Sequence, residues 1–288
     1  MAGKLLITGA AGQLGQALVH AGVRQGWEVV ATDFPDLDIT DPQLVAGELA
    51  RQRPKVVINA AAATRVDDLE SDPDGALRVN ALGPRNLAVA CRRLGITLIH
   101  LSTDYVFDGT KPGPYVEWDA TSPLSVYGRS KLLGEEWVRQ QCPDHFIVRT
   151  AWLYGVPGPN FVTAILARGR HLAPDGELKV VHDQRGTPTS ALALAPQLLA
   201  LAATEAFGTY HATCQGETTW YEFAGLILKA AGITVRVTPC TTAEFPRPAP
   251  RPANSVLENR LLRVAGLDRM PAWQAAFQQF WEVYGDRL

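Results

Sequence analysis

The sequence predicts an α/β fold, a doubly wound parallel sheet with a smaller C-terminal substrate-binding lobe. Three features carry this reading. LLITGAAGQLG at 5–15 sets a glycine-spaced turn between an apolar run and a helical pattern, short apolar runs then alternate with helical patterns to about residue 150, and small or polar residues close each run. Leu5, Leu6 and Ile7 suit a buried strand and are too few for a helix. Gly9, Gly12 and Gly15 follow at a spacing of three, and Leu14, Leu18 and Val19 then mark a helix. Strand, glycine turn and helix make a Rossmann-type phosphate cradle. Gly9 permits the sharp turn, Gly12 admits a pyrophosphate to the backbone, and Gly15 lets helix and strand pack closely. The helix N-terminus offers free N–H groups and partial positive charge. Asp33, 24 residues after Gly9, completes a dinucleotide-binding pattern.

EVVAT at 28–32 reads as the second strand, ending at Asp33. A helix over 42–52 follows, with Asp41 as N-cap and Pro42 in its first position. Residues 56–59 form the third strand and run into a small-residue turn at 60–63. Residues 74–94 hold one long helix or two, TLIHL at 97–101 is the fourth strand, 127–141 is helical, and 146–150 is the fifth strand. Such alternation makes a parallel sheet covered on both faces, whose ligands bind beyond the carboxyl ends of the strands. Asp33 and the segments 60–64, 102–104 and 150–152 fall at those ends and converge on one crevice. Helices are expected at 161–170, 191–203 and 220–231, the last with Thr218 and Thr219 as caps, and short strands at 178–181 and 208–212. The proline-rich 245–252 (FPRPAPRP) reads as a stiff extended loop rather than an SH3-type ligand. The dinucleotide-binding domain is placed at 1–152, with later segments free to return to it, and 153–288 is mainly the substrate-binding lobe.

At 288 residues, with 47% hydrophobic and 19% charged residues, the chain can bury a sizeable core. A net charge of −2 gives no electrostatic reason to expect nucleic acid or an anionic membrane as partner. Cys91, Cys142, Cys214 and Cys240 are scattered without a CxxC pair and read as reduced, buried thiols of a cytoplasmic protein. The first strand starts so near Met1 that no signal peptide is expected. The longest apolar stretch, 192–203, is broken by Pro196 and Gln197 and is too short for a membrane span. The six histidines show no metal-ligand spacing. Asp67, Asp68 and Glu70 read as capping and dipole residues of a helix start.

Tyr127 and Lys131 form a second chemical signature, four residues apart on one helix face. A nearby ammonium favours phenolate and so is expected to lower the tyrosine pKa. A phenol so tuned passes its proton to a developing alkoxide. Ser102-Thr103 leaves the fourth strand about 25 residues earlier, placing a hydroxyl to hold a carbonyl oxygen. Hydroxyl, tyrosine and lysine beside a nicotinamide form a ketone reductase.

TGAAGQLG, NAAAATRVDDLE, LSTDYVFDG, YGRSK and RTAWLYG together resemble the extended short-chain dehydrogenase/reductase family, and more narrowly its dTDP-4-dehydrorhamnose reductase branch. HDQRGTPTS, TTWYEFA and RPANSVL extend the resemblance from residue 4 to about 260. It implies NAD(P)H-dependent reduction of the C4 ketone of a dTDP-linked sugar. Tyr127 then gives the proton to the C4 oxygen, Lys131 holds the nicotinamide ribose, and Thr103 hydrogen-bonds the C4 oxygen. Gly12, Gln13 and Leu14 sit over the pyrophosphate, between Gly9 and Gly15. Asp33, Asp38 and Ile39 border the adenosine, while Ala62, Ala63, Thr64 and Leu101 line the cofactor path. Asp104, Trp152 and Val106 meet the deoxysugar, and Arg251 and Asn254 lie near the nucleotide diphosphate or simply anchor their loop. Asn80 matches a family asparagine that steadies the active-site backbone, or is simply a polar residue that kinks its helix. Asp33 favours NADH over NADPH, though the branch tolerates both, so either is expected. Relatives in the branch carry glutamates that bind magnesium at a dimer interface. Gln16-Ala17 and GTPTSALALA supply none, which predicts no bound metal and a monomer or weak homodimer. Two rival readings are another nucleotide-sugar reductase or epimerase, and a non-catalytic regulatory subunit like that of methionine adenosyltransferase.

Overall fold

The computed structural model describes residues 3–174 and 176–288. Six strands, β1 (Lys4–Thr8), β2 (Glu28–Thr32), β3 (Val56–Asn59), β4 (Thr97–Thr103), β5 (His145–Thr150) and β6 (Gly208–His211), form one sheet in the order β6-β5-β4-β3-β1-β2. Every neighbouring pair is parallel. The chain runs outward from β1 to β2 and then crosses back to β3 on the other side of β1. A crevice therefore opens at the carboxyl ends of β1 and β3, where strand order reverses.

The strands are apolar on both faces because helices cover both. Successive side chains alternate between two layers. Leu5, Ile7, Val56, Ile58, Ile99, Phe146 and Val148 enter one core cluster, and Leu6, Val57, Leu98 and Ile147 enter the other. Helix α1 (Gln13–Arg24) covers the first layer through Leu14, Ala17 and Leu18. Helices α2 (Pro42–Gln52) and α3 (Gly83–Leu94) cover the second, with Val45, Leu49, Leu87 and Cys91 inside. Asp41 caps α2 as expected, its Oδ1 accepting from the Gln43 and Leu44 amides at 2.7 and 3.1 Å.

Segment 74–94 is helical throughout, as expected, with a π-turn inside it. A short helix, Pro73–Leu77, passes through a π-turn at Arg78–Leu82 into α3. Pro84 has no N–H to give to the Asn80 carbonyl four residues back, so the hydrogen-bond ladder widens there. Strand β4 runs two residues further than the TLIHL run and carries Ser102 and Thr103 on its last turn of pleat.

The C-terminal half returns to the sheet. Helix α4 (Val126–Gln141) leads to β5, and β6 pairs alongside it from 208 onward. The core cluster on the α1 face continues through α5 (Phe161–Leu172), α6 (Ala191–Ala202), α7 (Trp220–Ala230) and α8 (Trp273–Tyr284) without a break. Thr219 caps α7 in a capping box with Glu222. Strand Glu177–Val181 pairs in parallel with Arg236–Cys240, a partner outside the elements expected from sequence. The four cysteines are free and buried. No helix among the described residues is long and apolar enough to cross a membrane.

Gly15 shows how closely α1 is seated: a Cβ there would collide with the Gly9 carbonyl oxygen and lie 2.6 Å from the Ala10 Cα. Gly15→Ala is expected to cost about 1–3 kcal/mol by overpacking. Urea denaturation measures it, and an unchanged midpoint would contradict the packing described.

Candidate active site

Helix α4 presents Tyr127, Lys131 and Glu135 on one face, each four residues from the next. Its start is pinned twice: Ser125 Oγ accepts from the Gly128 amide at 3.1 Å, and Glu70 Oε1 accepts from the Val126 amide at 2.7 Å. Gly128 and Gly134 lack the Cβ that would strike the carbonyl oxygens of Tyr105 and Asn80, so the helix lies directly on both segments. Lys131 Nζ donates to the Leu101 carbonyl at 2.6 Å. Glu135, fully buried, accepts from Ser102 Oγ at 2.6 Å and from Arg149 Nε and Nη2 at 2.9 and 2.7 Å.

Thr103 ends β4 beside Tyr127. Its Oγ1 donates to Asp104 Oδ1 at 2.9 Å and accepts from the Tyr105 amide at 3.2 Å. Burial pushes the Asp104 carboxyl up to about 6, and its Oδ2 has no partner among the described residues. Burial also pushes the Tyr127 phenol up to about 12; the Thr103 hydroxyl acts downward and the Asp104 carboxylate adds to the rise. This reverses the expectation that Lys131 lowers the phenol. The ammonium is spent on the Leu101 carbonyl, and desolvation decides the direction. Burial lowers Lys131 to about 8, against the opposing pull of Glu135.

These groups open onto a cavity of about 610 Å³ at the crevice between β1 and β3. Thr103, Asp104, Tyr127, Lys131, Leu101 and Trp152 line one end; Gly9, Gly12, Gln13, Leu14 and Gly15 line the other, with Ala62 and Thr64 between them. Helix α1 begins at that end without a side-chain cap, leaving its first-turn N–H groups for an anion. Across the cavity Gln13 Nε2 donates to the Pro159 carbonyl at 2.9 Å, and Asn160 Nδ2 donates to the Gly155 carbonyl at 2.8 Å. An uncapped helix start over a glycine turn fits the pyrophosphate of a dinucleotide.

Other sequence-selected residues lie elsewhere. Ala63 and Asp38 line a second hollow of about 350 Å³, beside Phe34 and Arg78. Asp33 closes the glycine turn, accepting from the Ala11 amide at 2.6 Å and the Phe34 amide at 2.8 Å. Ile39 is buried in the second core layer, and Val106 in a small cluster with Phe107, Tyr115 and Leu257. Asn254 spends its amide nitrogen on the Lys111 and Gly113 carbonyls at 2.8 and 2.9 Å. The Arg251 fork is taken by Asp67, which also holds Arg247 at 2.7 Å and drops to about 2, first through Arg251. Asp67 and Asp68 stand in the first turn of a short helix, Val66–Leu69, as the dipole reading expects, but neither caps it: Asp68 pairs with Arg65 at 2.7 Å, and Glu70, past its end, holds α4. Asn80 receives the Ala63 amide at 2.9 Å and donates to the Ala63 carbonyl at 3.0 Å and to Ser130 Oγ at 3.1 Å.

Trp220, Tyr105 and Val66 also line the cavity, and sequence reasoning passed over all three. The Trp220 ring stacks on Trp152 with centroids 3.4 Å apart and planes 6° from parallel. Trp152 itself has a left-handed φ of 46°, and Gly186 leaves the space its indole fills. Only the capping threonine just before Trp220 hinted at its place.

A family model described as the RmlD substrate binding domain matches residues 3–285. The chain belongs to the RmlD substrate binding domain family. A relative from Streptomyces griseus named dTDP-4-dehydrorhamnose reductase is 45% identical over 281 residues, 95% of this chain and 91% of that protein. A dTDP-4-keto-6-deoxy-D-glucose reductase from Streptomyces niveus is 42% identical, covering 97% of this chain and 96% of that protein. The crystal structure of a Bacillus anthracis dTDP-4-dehydrorhamnose reductase in complex with NADP superposes with a TM-score of 0.94 at 38% identity, over 98% of this chain and 99% of that one.

Within this RmlD-family frame the Glu135–Arg149 pair backs the cavity through Ser102, which lines it. Glu135→Ala leaves the Arg149 guanidinium buried without its counter-ion and is expected to destabilise the fold by about 3–5 kcal/mol. Chemical denaturation checks this; a loss under about 1 kcal/mol would mean that the pair does not hold α4.

Proposed function

We propose that this chain reduces the C4 ketone of dTDP-4-dehydro-β-L-rhamnose with NADPH or NADH, giving dTDP-L-rhamnose. The observation that carries the reading is the meeting of Thr103, Tyr127 and Lys131 in the same cavity as the uncapped start of α1. The reduced nicotinamide supplies hydride to the C4 carbon when bound. Residues of the chain do the rest. The glycine turn and the first turn of α1 receive the pyrophosphate, and Lys131 reaches the ribose from its seat at the Leu101 carbonyl. Thr103 donates to the C4 oxygen, and Tyr127 gives that oxygen its phenolic proton. The phenol, raised to about 12, is protonated at neutral pH, as an ordinary phenol also is, and burial makes it the weaker acid. An alkoxide is a stronger base than a phenolate, so the transfer still runs downhill. Asp104 and Trp152, the latter braced by Trp220, flank the sugar.

The Streptomyces niveus relative favours one second reading, a reductase of a neighbouring dTDP-keto sugar. The substitution of Gln16 and Ala17 for acidic residues supports a monomer or weak homodimer without bridging magnesium, and the four buried thiols support a cytoplasmic setting.

Oxidation of NADH and NADPH in the presence of dTDP-4-dehydrorhamnose, followed by product identification, tests the assignment; no oxidation with this sugar overturns it. Tyr127→Phe is expected to keep nucleotide affinity while losing at least about a hundredfold in turnover, the scale of a positioned proton transfer. Lys131 loses its charge as pH rises through about 8. Cofactor affinity is accordingly expected to be flat below about pH 7 and to weaken above about 8, as read by titrating bound-nicotinamide fluorescence.

A further inference from the structure

We propose that Tyr105 is a positioning residue for the Tyr127 phenol, held in turn by Arg251 and Asp67; this rests on the proton-donor role given to Tyr127. The ring of Tyr105 meets that of Tyr127 edge-on, with centroids 5.6 Å apart and planes at 77°. Edge-to-face contact is a preferred geometry of aromatic pairs, favourable beyond the area it buries. The backbone of Tyr105 is fixed on both sides of this contact. Its amide donates to Thr103 Oγ1 at 3.2 Å, and its carbonyl abuts Gly128, where α4 can approach only because no Cβ intervenes. Burial raises its hydroxyl, the Asp104 carboxylate adds to the rise, and the Arg251 guanidinium opposes it.

Arg251 is not free to wander. Its Nη2 donates to Asp67 Oδ2 at 3.0 Å, Nη1 donates to Asp67 Oδ1, and Nη1 also donates to the Ala249 carbonyl at 2.6 Å. Asp67 takes the Ala249 amide at 3.1 Å and Arg247 Nε at 3.0 Å as well. Its carboxylate thus ties together two arginines and the backbone of the 245–252 segment, with only 19% of the side chain exposed. Asp67 follows Val66, which lines the cavity at the start of the short helix Val66–Leu69 after β3. Asp67 and Arg251 thereby join chain segments 184 residues apart and fix the guanidinium that acts on the Tyr105 hydroxyl, whose ring meets the reacting phenol.

The test is a double-mutant cycle on turnover with dTDP-4-dehydrorhamnose at saturating NADPH. Tyr105→Phe keeps the ring and removes the hydroxyl; it is expected to lower kcat about tenfold, within the range that a small misplacement of reacting groups produces, with KM for NADPH changed less than about twofold. Asp67→Asn is expected to lower kcat by a similar factor, and the double variant to be no worse than about twofold below either single one, because residues on one line are not additive. Asp67→Glu, which restores the charge, is expected to recover most of the loss. Additive losses, an unchanged kcat in Tyr105→Phe, or losses that simply track melting temperature overturn the proposal. Tyr127→Phe is run alongside: if it stays active, the proton-donor reading fails and takes this inference with it, whereas an inactive Tyr127→Phe with additive Asp67 and Tyr105 effects sinks this inference alone.

Discussion

Glu135 accepts the Arg149 fork and the Ser102 hydroxyl out of reach of solvent, and one turn earlier Lys131 gives its ammonium to the Leu101 carbonyl. These bonds join α4 to β4 and β5 at the end of the sheet where chemistry occurs. A buried ion pair adds little net stability compared with well-packed apolar residues, but its geometry is unforgiving, since either partner left alone is costly. The helix cannot slide or roll without breaking it. Gly128 and Gly134 work to the same end from the other side, allowing α4 to rest on the carbonyls of Tyr105 and Asn80. The direction of Tyr127, and through it the shape of the sugar end of the cavity, follows from this one seating.

The electrostatics of the site follow from desolvation more than from charge pairing. A lysine one turn from a tyrosine suggests a depressed phenol, yet the ammonium is turned to a backbone carbonyl and both groups shift in the directions that burial dictates. Asp104 responds in the same way, its carboxyl rising toward neutrality beside the Thr103 hydroxyl. At neutral pH Asp104, at about 6, and Lys131, at about 8, both stay mostly charged, so the donors available to a developing negative charge are the Thr103 and Tyr127 hydroxyls and the Lys131 ammonium.

What was legible in the sequence is what depends on neighbours along the chain. The glycine triplet, the alternation of strands and helices, the caps at Asp41 and Thr219, and the Tyr127–Lys131 spacing are all local patterns, and each is found where it was read. The pairing of Asp67 with Arg251, the stack of Trp220 on Trp152, and the return of 208–211 to the sheet join segments far apart, and no local signal announces the partner. The π-turn at Asn80 lies between these cases: Pro84 marks it, but proline at the start of a helix is so well tolerated that the missing hydrogen bond passes unnoticed. Helix α8 carried a readable pattern in Trp273, Ala276, Phe277 and Phe280, all buried, beyond the last motif that drew attention.

The hydrogen bond from Gln13 to the Pro159 carbonyl bears on how such a fold can be inherited. It closes the phosphate turn with a loop that the ribosome adds some 146 residues later. Strand β6, later still, supplies the outer edge of the same sheet. The N-terminal half is therefore not a transferable cassette. Recombination that exchanged sugar specificity by swapping everything after β5 would also exchange one wall of the nucleotide cradle, so new substrates in this architecture are more readily reached by changing side chains at the cavity rim than by shuffling halves.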